Sequence, residues 1–371
     1  MALLKAPLSS SGSALLDSGG EPVRLAGVNW AGAHQNWLVP SGLDKLSRTE
    51  IATRIVDMGL NHVRLPFALG TFVSNNGTVK TGPVPEPSRV AANPDLASAS
   101  PWQVYQECVA ALTGAGLAVI PNQHLLFQGW CCSEADCNGL WYNDNWPAST
   151  FTGCWQMIAE AFAGNPLVIG YDLHNEPRPA TIGGTLRTPS WGDGNAETDF
   201  QRLYADTIPL LRAAGGQKLY FCEGLSYAAD LTKAGAQPVG TGSGTVYSLH
   251  DYSWYHPAGQ SQAAYNAQMD AAGGYIQVNG QAPLYIGEFG TDLGTYSNMT
   301  SGWLTQFLSW AQARQVHWCW WELSAISALG IEPVTNEVKA RDGDRASYGL
   351  MQGQDWDGTQ TTMLRLLEPL M

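Results

Sequence analysis

Basic residues are scarce in this sequence. Of its 371 residues only 19 are Lys or Arg, against 32 Asp or Glu, a formal net charge of −13. Nucleic-acid phosphates and anionic membrane surfaces are gripped by clustered Lys and Arg, so neither is an expected partner, and neutral or cationic ones fit better. Long apolar runs are missing too. No stretch approaches the roughly 20 residues that cross a bilayer, so no membrane span is expected. The opening "MALLKAPLSSSGSALLDSGG" has too short an apolar core for a secretory signal. Also absent are the spaced ligand sets of metal sites, His-Glu-x-x-His or paired Cys-x-x-Cys, and the Gly-x-Ser-x-Gly turn that carries a serine nucleophile. The expectation is therefore no metal, no cofactor and no Ser-His-Asp chemistry.

What is present is apolar and aromatic. Hydrophobic residues make up 44% and charged residues 14%, with 15 Trp. A large core is affordable, and the Trp surplus suggests flat apolar platforms. Seven cysteines leave at least one unpaired. Cys131, Cys132, Cys137 and Cys154 crowd into "WCCSEADCNGLWYNDNWPASTFTGC", where one or two loop disulfides are expected if the protein is exported. Cys108, Cys222 and Cys319 sit in apolar contexts and read as buried thiols.

Eight short β-prone runs punctuate the chain: "VRLAGVNW", "NHVRLPF", "GLAVIPNQH", "PLVIGYDLHNE", "QKLYFCEG", "GTVYSLHDY", "PLYIGEFG" and "VHWCWWE". They are continuously apolar rather than alternating, as parallel strands buried on both faces are. Between them lie stretches of helical period such as "SRTEIATRIVDMG" and "PWQVYQECVAALTGAG". Eight β-then-α units predict a single (β/α)8 barrel over residues 1–371, with a lead-in of about 20 residues; a doubly wound open sheet is the alternative. The protein reads as a monomer. Long excursions after the second, third, fourth and eighth strands fall at the mouth where barrel enzymes assemble their sites.

Nearly every run delivers a polar or aromatic residue at its carboxyl end: Asn29, Arg64, His124, Asn175 with Glu176, Glu223, His250 with Tyr252, Glu288 and Trp321. Two carboxylates facing one mouth suit cleavage of a glycoside by double displacement, one attacking the anomeric carbon and one protonating the leaving oxygen. Arg64 and Tyr252 beside Glu288 would hold it ionised as nucleophile, while the apolar strand and aromatic loops beside Glu176 suit a proton-bearing acid. Glu223 reads as a hydrogen bond within the mouth, with a sugar contact as the alternative. His34, His62, His174, His256 and His317 read as structural or surface groups.

The string "VIGYDLHNEP", with "YIGEFG" downstream, resembles glycoside hydrolase family 5, the cellulase-like retaining (β/α)8 enzymes, over almost the whole chain. The resemblance implies Glu176 as acid/base, Glu288 as nucleophile and Asn175 as the amide that orients the sugar. It also implies substrate-binding positions at Arg64, His124, His250, Tyr252 and Trp321, and in "GVNW" at Asn29 and Trp30. The loop with Trp130, Cys131, Cys132, Cys137, Trp141 and Trp146 departs from the family pattern and is expected to shape a subsite wall. A carbohydrate substrate follows, with β-glucosides or β-glucans first. A pocket enzyme for a disaccharide glycoside, β-mannoside or glycolipid head group is the alternative, and a non-catalytic carbohydrate-binding barrel a third. An extracellular location is expected, with the cytoplasm as alternative, and sequons lie at Asn76 and Asn298.

Overall fold

The computed structural model describes residues 4–240, 242–291, 302–324, 348–353 and 355–371. Each of the eight β-prone runs overlaps one strand of a closed barrel: β1 (Ala26–Asn29), β2 (His62–Ala68), β3 (Ala118–Leu125), β4 (Gly170–Asp172), β5 (Leu219–Glu223), β6 (Thr245–His250), β7 (Leu284–Phe289) and β8 (His317–Trp320). Every strand pairs in parallel with the next, and β8 closes on β1. The fold is a (β/α)8 barrel, and closure removes the open-sheet alternative. The strands are buried on both faces, which is why the runs show no alternation.

The first two long helices start where capping chemistry starts them. α1 (Arg48–Asp57) begins at Ser47, whose hydroxyl accepts from the Glu50 N–H while the Glu50 carboxylate reaches back to the Ser47 N–H. α2 (Pro101–Gly114) repeats the device with Ser100 and Gln103 and adds proline at its first position. α3 (Ala148–Ala161), α4 (Phe200–Gly215), α5 (Gln262–Met269), α6 (Trp303–Arg314) and α7 (Thr361–Leu367) follow.

The core has two layers. One cluster gathers Leu25, Ala118, Ile120, Ile169, Leu219, Phe221 and Val246, residues at the amino ends of strands, and Leu4, Leu8 and Leu15 close it. The lead-in is thus ordered, as a three-stranded antiparallel sheet (Ser9–Ser11, Ala14–Leu16, Pro22–Val23) packed on that end. The larger cluster lies between strands and helices and takes most of the indoles, Trp30, Trp102, Trp155, Trp310, Trp318 and Trp320 among them. The expected platforms are therefore mainly core, because an indole fills the wide gap between a barrel wall and its helices. Among the described tryptophans only Trp254 and Trp130 are strongly exposed, at 62% and 40%.

The excursion after β2 is folded rather than loose. It forms a short helix (Leu69–Phe72) and two 3-10 turns (Pro87–Val90, Pro94–Leu96), and buries Val84, Val90 and Leu96. Asn76 lies in an exposed turn there, whereas Asn298 and most of the long segment after β8 lie outside the described residues.

Candidate active site

The carboxyl ends of the strands converge on Arg64, which is fully buried in β2. Its Nε donates to Asp172 Oδ2 (2.6 Å), Nη1 to Asn29 Oδ1 (2.9 Å) and Glu288 Oε1 (2.7 Å), and Nη2 to Asn175 Oδ1 (2.7 Å) and Glu223 Oε1 (2.8 Å). Burial disfavours the charge, but the carboxylates of Asp172, Glu288 and Glu223 outweigh it and keep the guanidinium ionised. A buried network of this kind does little for stability by itself. What it does is fix five side chains, from β1, β4, β5, β7 and the segment beyond β4, in one arrangement around Arg64.

Glu288 lies next to the mouth, only 4% exposed. Arg64 holds one of its oxygens, and the Tyr252 hydroxyl donates to the other at 3.0 Å. Burial raises its pKa against the pull of His250 and Arg64, and the charges of Glu176 and Glu223 add to the rise. The expected ionising partners are thus present, but desolvation outweighs them. Gly287 before it has a steric reason to be glycine: a Cβ there would stand 2.9 Å from both His250 Nε2 and Ser248 Oγ.

Glu176 lies beyond the short strand β4, with φ of 50°, in the left-handed region that non-glycine residues rarely occupy. Two buried groups hold it there. The Glu176 N–H donates to Glu223 Oε2 at 2.7 Å, and Arg178 Nη1 donates to the Glu176 carbonyl at 2.8 Å. His250 Nδ1 meets Glu176 Oε1 at 2.9 Å. Burial lowers the His250 pKa, but Glu223 and Glu288 and the bonds to Glu176 and Glu223 reverse this and raise it well above its usual value, which favours the imidazolium form. Burial also disfavours the Glu223 charge, yet His250, Arg64 and the Glu176 N–H hold Glu223 down at about 2.

Aromatic rings line the approach. Trp321 stacks on His124 at 5.4 Å, and His34 lies 4.3 Å from His124. Burial keeps both histidines neutral. Trp321, Tyr252 and Ala31 form a small apolar cluster of their own, and Trp254 lies flat on Tyr252 at 4.4 Å. Trp321→Ala is expected to lower kcat/KM about 10- to 100-fold with KM and kcat both affected, because a stacked ring acts in ground and transition states alike. Unchanged steady-state constants on a soluble substrate would reduce Trp321 to a packing residue.

Glu176, Glu288, Asn175, His124, His250, Tyr252 and Trp321 thus meet at one mouth, and Arg64 joins them from beneath. Two sequence expectations are corrected, and a third residue takes the role first read for it. Trp30 does not reach the mouth: it is fully buried in the outer core and its Nε1 donates to the Ser41 carbonyl at 2.8 Å. Asn29 is also fully buried, its amide spent on the Gly287 and Trp320 carbonyls and its oxygen on Arg64. Glu223 is fully buried and bonds Arg64 and Glu176, which fits the hydrogen-bond reading and not the sugar contact. Asp172 was missed, because it sits inside an apolar run and does not mark a strand end, while His34, read as a structural or surface group, is buried against His124.

The loop after β3 departs further. Trp141 is buried edge-on against Phe200, and Trp146 is buried too, so of its indoles Trp130 alone is exposed enough for a subsite wall. Cys154 is buried in α3 and Cys137 is a free thiol, so neither takes part in the expected loop disulfides. The sulfurs of Cys131 and Cys132 meet instead. Among the described residues, two groups of donor atoms are compact enough to hold a cation, Glu176 with His250 and Glu288, and Glu176 with Cys131 and Cys132. In the first, His250 would have to surrender its proton to become a ligand.

The description that matches this chain, over residues 16–327, is Cellulase (glycosyl hydrolase family 5). The chain belongs to glycosyl hydrolase family 5. An endoglucanase of Paenibacillus polymyxa is 25% identical over 393 residues, covering 100% of this chain and 89% of the relative. A glycosyl hydrolase 5 family protein of Chamaecyparis obtusa is 27% identical over 338 residues, covering 85% of this chain but 58% of the relative. Among solved structures, an endocellulase of the archaeon Pyrococcus horikoshii matches with a TM-score of 0.77 at 21% identity over 99% of both chains. The catalytic domain of the major endoglucanase of Xanthomonas campestris matches with 0.77 at 21%, over 98% of this chain and 99% of that one. As a family 5 member the protein is a glycoside hydrolase.

Proposed function

We propose that this family 5 enzyme cleaves β-glucan with retention, Glu288 acting as nucleophile and Glu176 as acid/base. One observation carries the reading: an oxygen of Glu176, an oxygen of Glu288 and a ring nitrogen of His250 all lie within 4.8 Å of one another. Retaining glycosidases hold their carboxyl groups about 5–5.5 Å apart, and inverting ones about 6.5–9.5 Å, to admit a water.

The surroundings divide the work. Glu288, held on both oxygens by Arg64 and Tyr252, presents a fixed carboxylate to the anomeric carbon. Glu176, tied to His250 through Oε1, protonates the departing oxygen through Oε2 and then takes a proton from the water that frees the glycosyl-enzyme. The Asn175 oxygen is committed to Arg64 and its Nδ2 lies 3.6 Å from Cys131 Sγ, which leaves one N–H for the sugar hydroxyl beside the reacting carbon.

β-Glucan is favoured by the relatives, since the Paenibacillus polymyxa protein is an endoglucanase and the Pyrococcus horikoshii endocellulase was solved with cellotetraose. We also infer export, because a polymer is met outside the cell; a cytoplasmic location is the alternative. Proton NMR of freshly cleaved cello-oligosaccharide tests the reading, with β-mannan as comparison. The β-anomer is expected first and mannan is expected to be a poor substrate. An α-anomer formed first would overturn the mechanism, and faster mannan cleavage the substrate.

A further inference from the structure

One reactive group at the mouth has no part in the double displacement. Cys131 Sγ lies 3.6 Å from Glu176 Oε2 and 3.6 Å from Asn175 Nδ2. Its sulfur meets that of Cys132, and both residues are half-buried and open to small solutes. The placement is built. Arg178, fully buried, donates to the Ser133 carbonyl and to Asp136 Oδ2 on this loop, and the same guanidinium holds the Glu176 carbonyl. Asn138 Oδ1 fastens the loop to the end of β3 through the Leu126 N–H. Cys108, Cys154, Cys222 and Cys319 are buried and poor candidates for exchange with solution thiols.

The geometry points to a vicinal Cys131–Cys132 disulfide that keeps the acid competent, and whose reduction selectively slows the proton-dependent step. The inference rests on Glu176 being the acid. Glu176 Oε1 is taken by His250, which leaves Oε2 to deliver the proton, and the group beside Oε2 is Cys131. A disulfide sulfur has no hydrogen. It can accept weakly from Asn175, but it cannot compete for Oε2. A thiol can: its S–H at this position turns to Oε2, favours the carboxylate and occupies the oxygen that must face the leaving group.

The chemistry balances with a small dithiol as reductant. A thiolate of the reagent attacks one of the two sulfurs and the other leaves as a thiolate, giving a mixed disulfide. The second thiol of the reagent then attacks the reagent's own sulfur in that bond, which closes the reagent's ring and releases the first cysteine. Two electrons pass to the protein, and its two sulfurs end as thiols carrying protons.

The experiment compares air-oxidised and dithiothreitol-treated enzyme on two substrates, cellotetraose and dinitrophenyl cellobioside. Reduction is expected to lower kcat on cellotetraose about tenfold, the effect of a new hydrogen bond to the carboxylate, with KM and the burst on the dinitrophenyl substrate unchanged. Reoxidation restores kcat. Cys132→Ser, which leaves Cys131 a thiol, is expected to be slow and indifferent to dithiothreitol, while Cys137→Ser keeps the full response. Alkylation and mass analysis before reduction should leave Cys131 and Cys132 unlabelled.

Labelling of both sulfurs before reduction overturns the inference, as does a reduced enzyme with unchanged kcat on cellotetraose. An equal loss on both substrates with a lower melting temperature also overturns it, since the pair is then only a staple. If Cys132→Ser fails to fold, the reduced wild type still decides. Should Glu176 not be the acid, Glu176→Ala would fail to discriminate between leaving groups, a result separable from failure of the sulfur pair alone.

Discussion

Glu288→Gln is expected to lose turnover by at least about 10⁴-fold while substrate still binds, as removal of a covalent nucleophile does. The amide is nearly isosteric, so it keeps contact with Tyr252 and Arg64, but it cannot form the glycosyl-enzyme. Part of the Arg64 charge becomes uncompensated, and Asp172 and Glu223 remain to hold it. Kinetics and calorimetric titration with cellotetraose on the same preparation check this, and near-normal turnover contradicts the assignment. The nucleophile must be ionised to attack. Because burial raises the Glu288 pKa, the acid limb of the wild-type kcat/KM profile is expected above the ordinary glutamate range, and activity falls as pH drops through it.

Glu176→Ala is the second large effect, and it depends on the leaving group. Without a proton donor an alkoxide leaves with difficulty, so cellotetraose hydrolysis should fall by about 10²- to 10⁴-fold, the usual contribution of general acid–base catalysis. A dinitrophenolate leaves unaided. With that substrate the first step survives, water lacks a base, and the glycosyl-enzyme accumulates as a burst. Azide needs no deprotonation and should speed its release as the β-glycosyl azide. Glu288→Ala should show no burst and yield the α-azide if any. If Glu176→Ala yields the inverted azide while Glu288→Ala accumulates the intermediate, the two roles are exchanged.

The barrel was legible because parallel strands carry long apolar runs and each ends in polar chemistry, so Arg64, Glu176, His250 and Glu288 could be read from their places at strand ends. The same rule misled at Asn29 and Trp30. A residue's position along the chain does not say which wall of the strand it faces, and Trp30 faces the outer layer while Asn29 is consumed beneath the mouth. It also hid Asp172, inside an apolar run yet paired with Arg64. The cysteines were read by loop proximity, which left the pairing among Cys131, Cys132, Cys137 and Cys154 open. α3 carries Cys154 into the core, and the adjacent pair meets beside Glu176 instead.

The central claim is that Glu288 becomes covalently bonded to the sugar. A 2-deoxy-2-fluoro cellobioside with a dinitrophenyl leaving group tests it most directly. The fluorine destabilises the oxocarbenium-like transition states of both steps, and the activated leaving group lets the first proceed, so the intermediate is trapped. Intact mass is predicted to rise by one fluorocellobiosyl unit, with peptide mapping placing it on Glu288 in "YIGEFG". A label on Glu176, or hydrolysis to the inverted sugar with no label at all, would contradict the account.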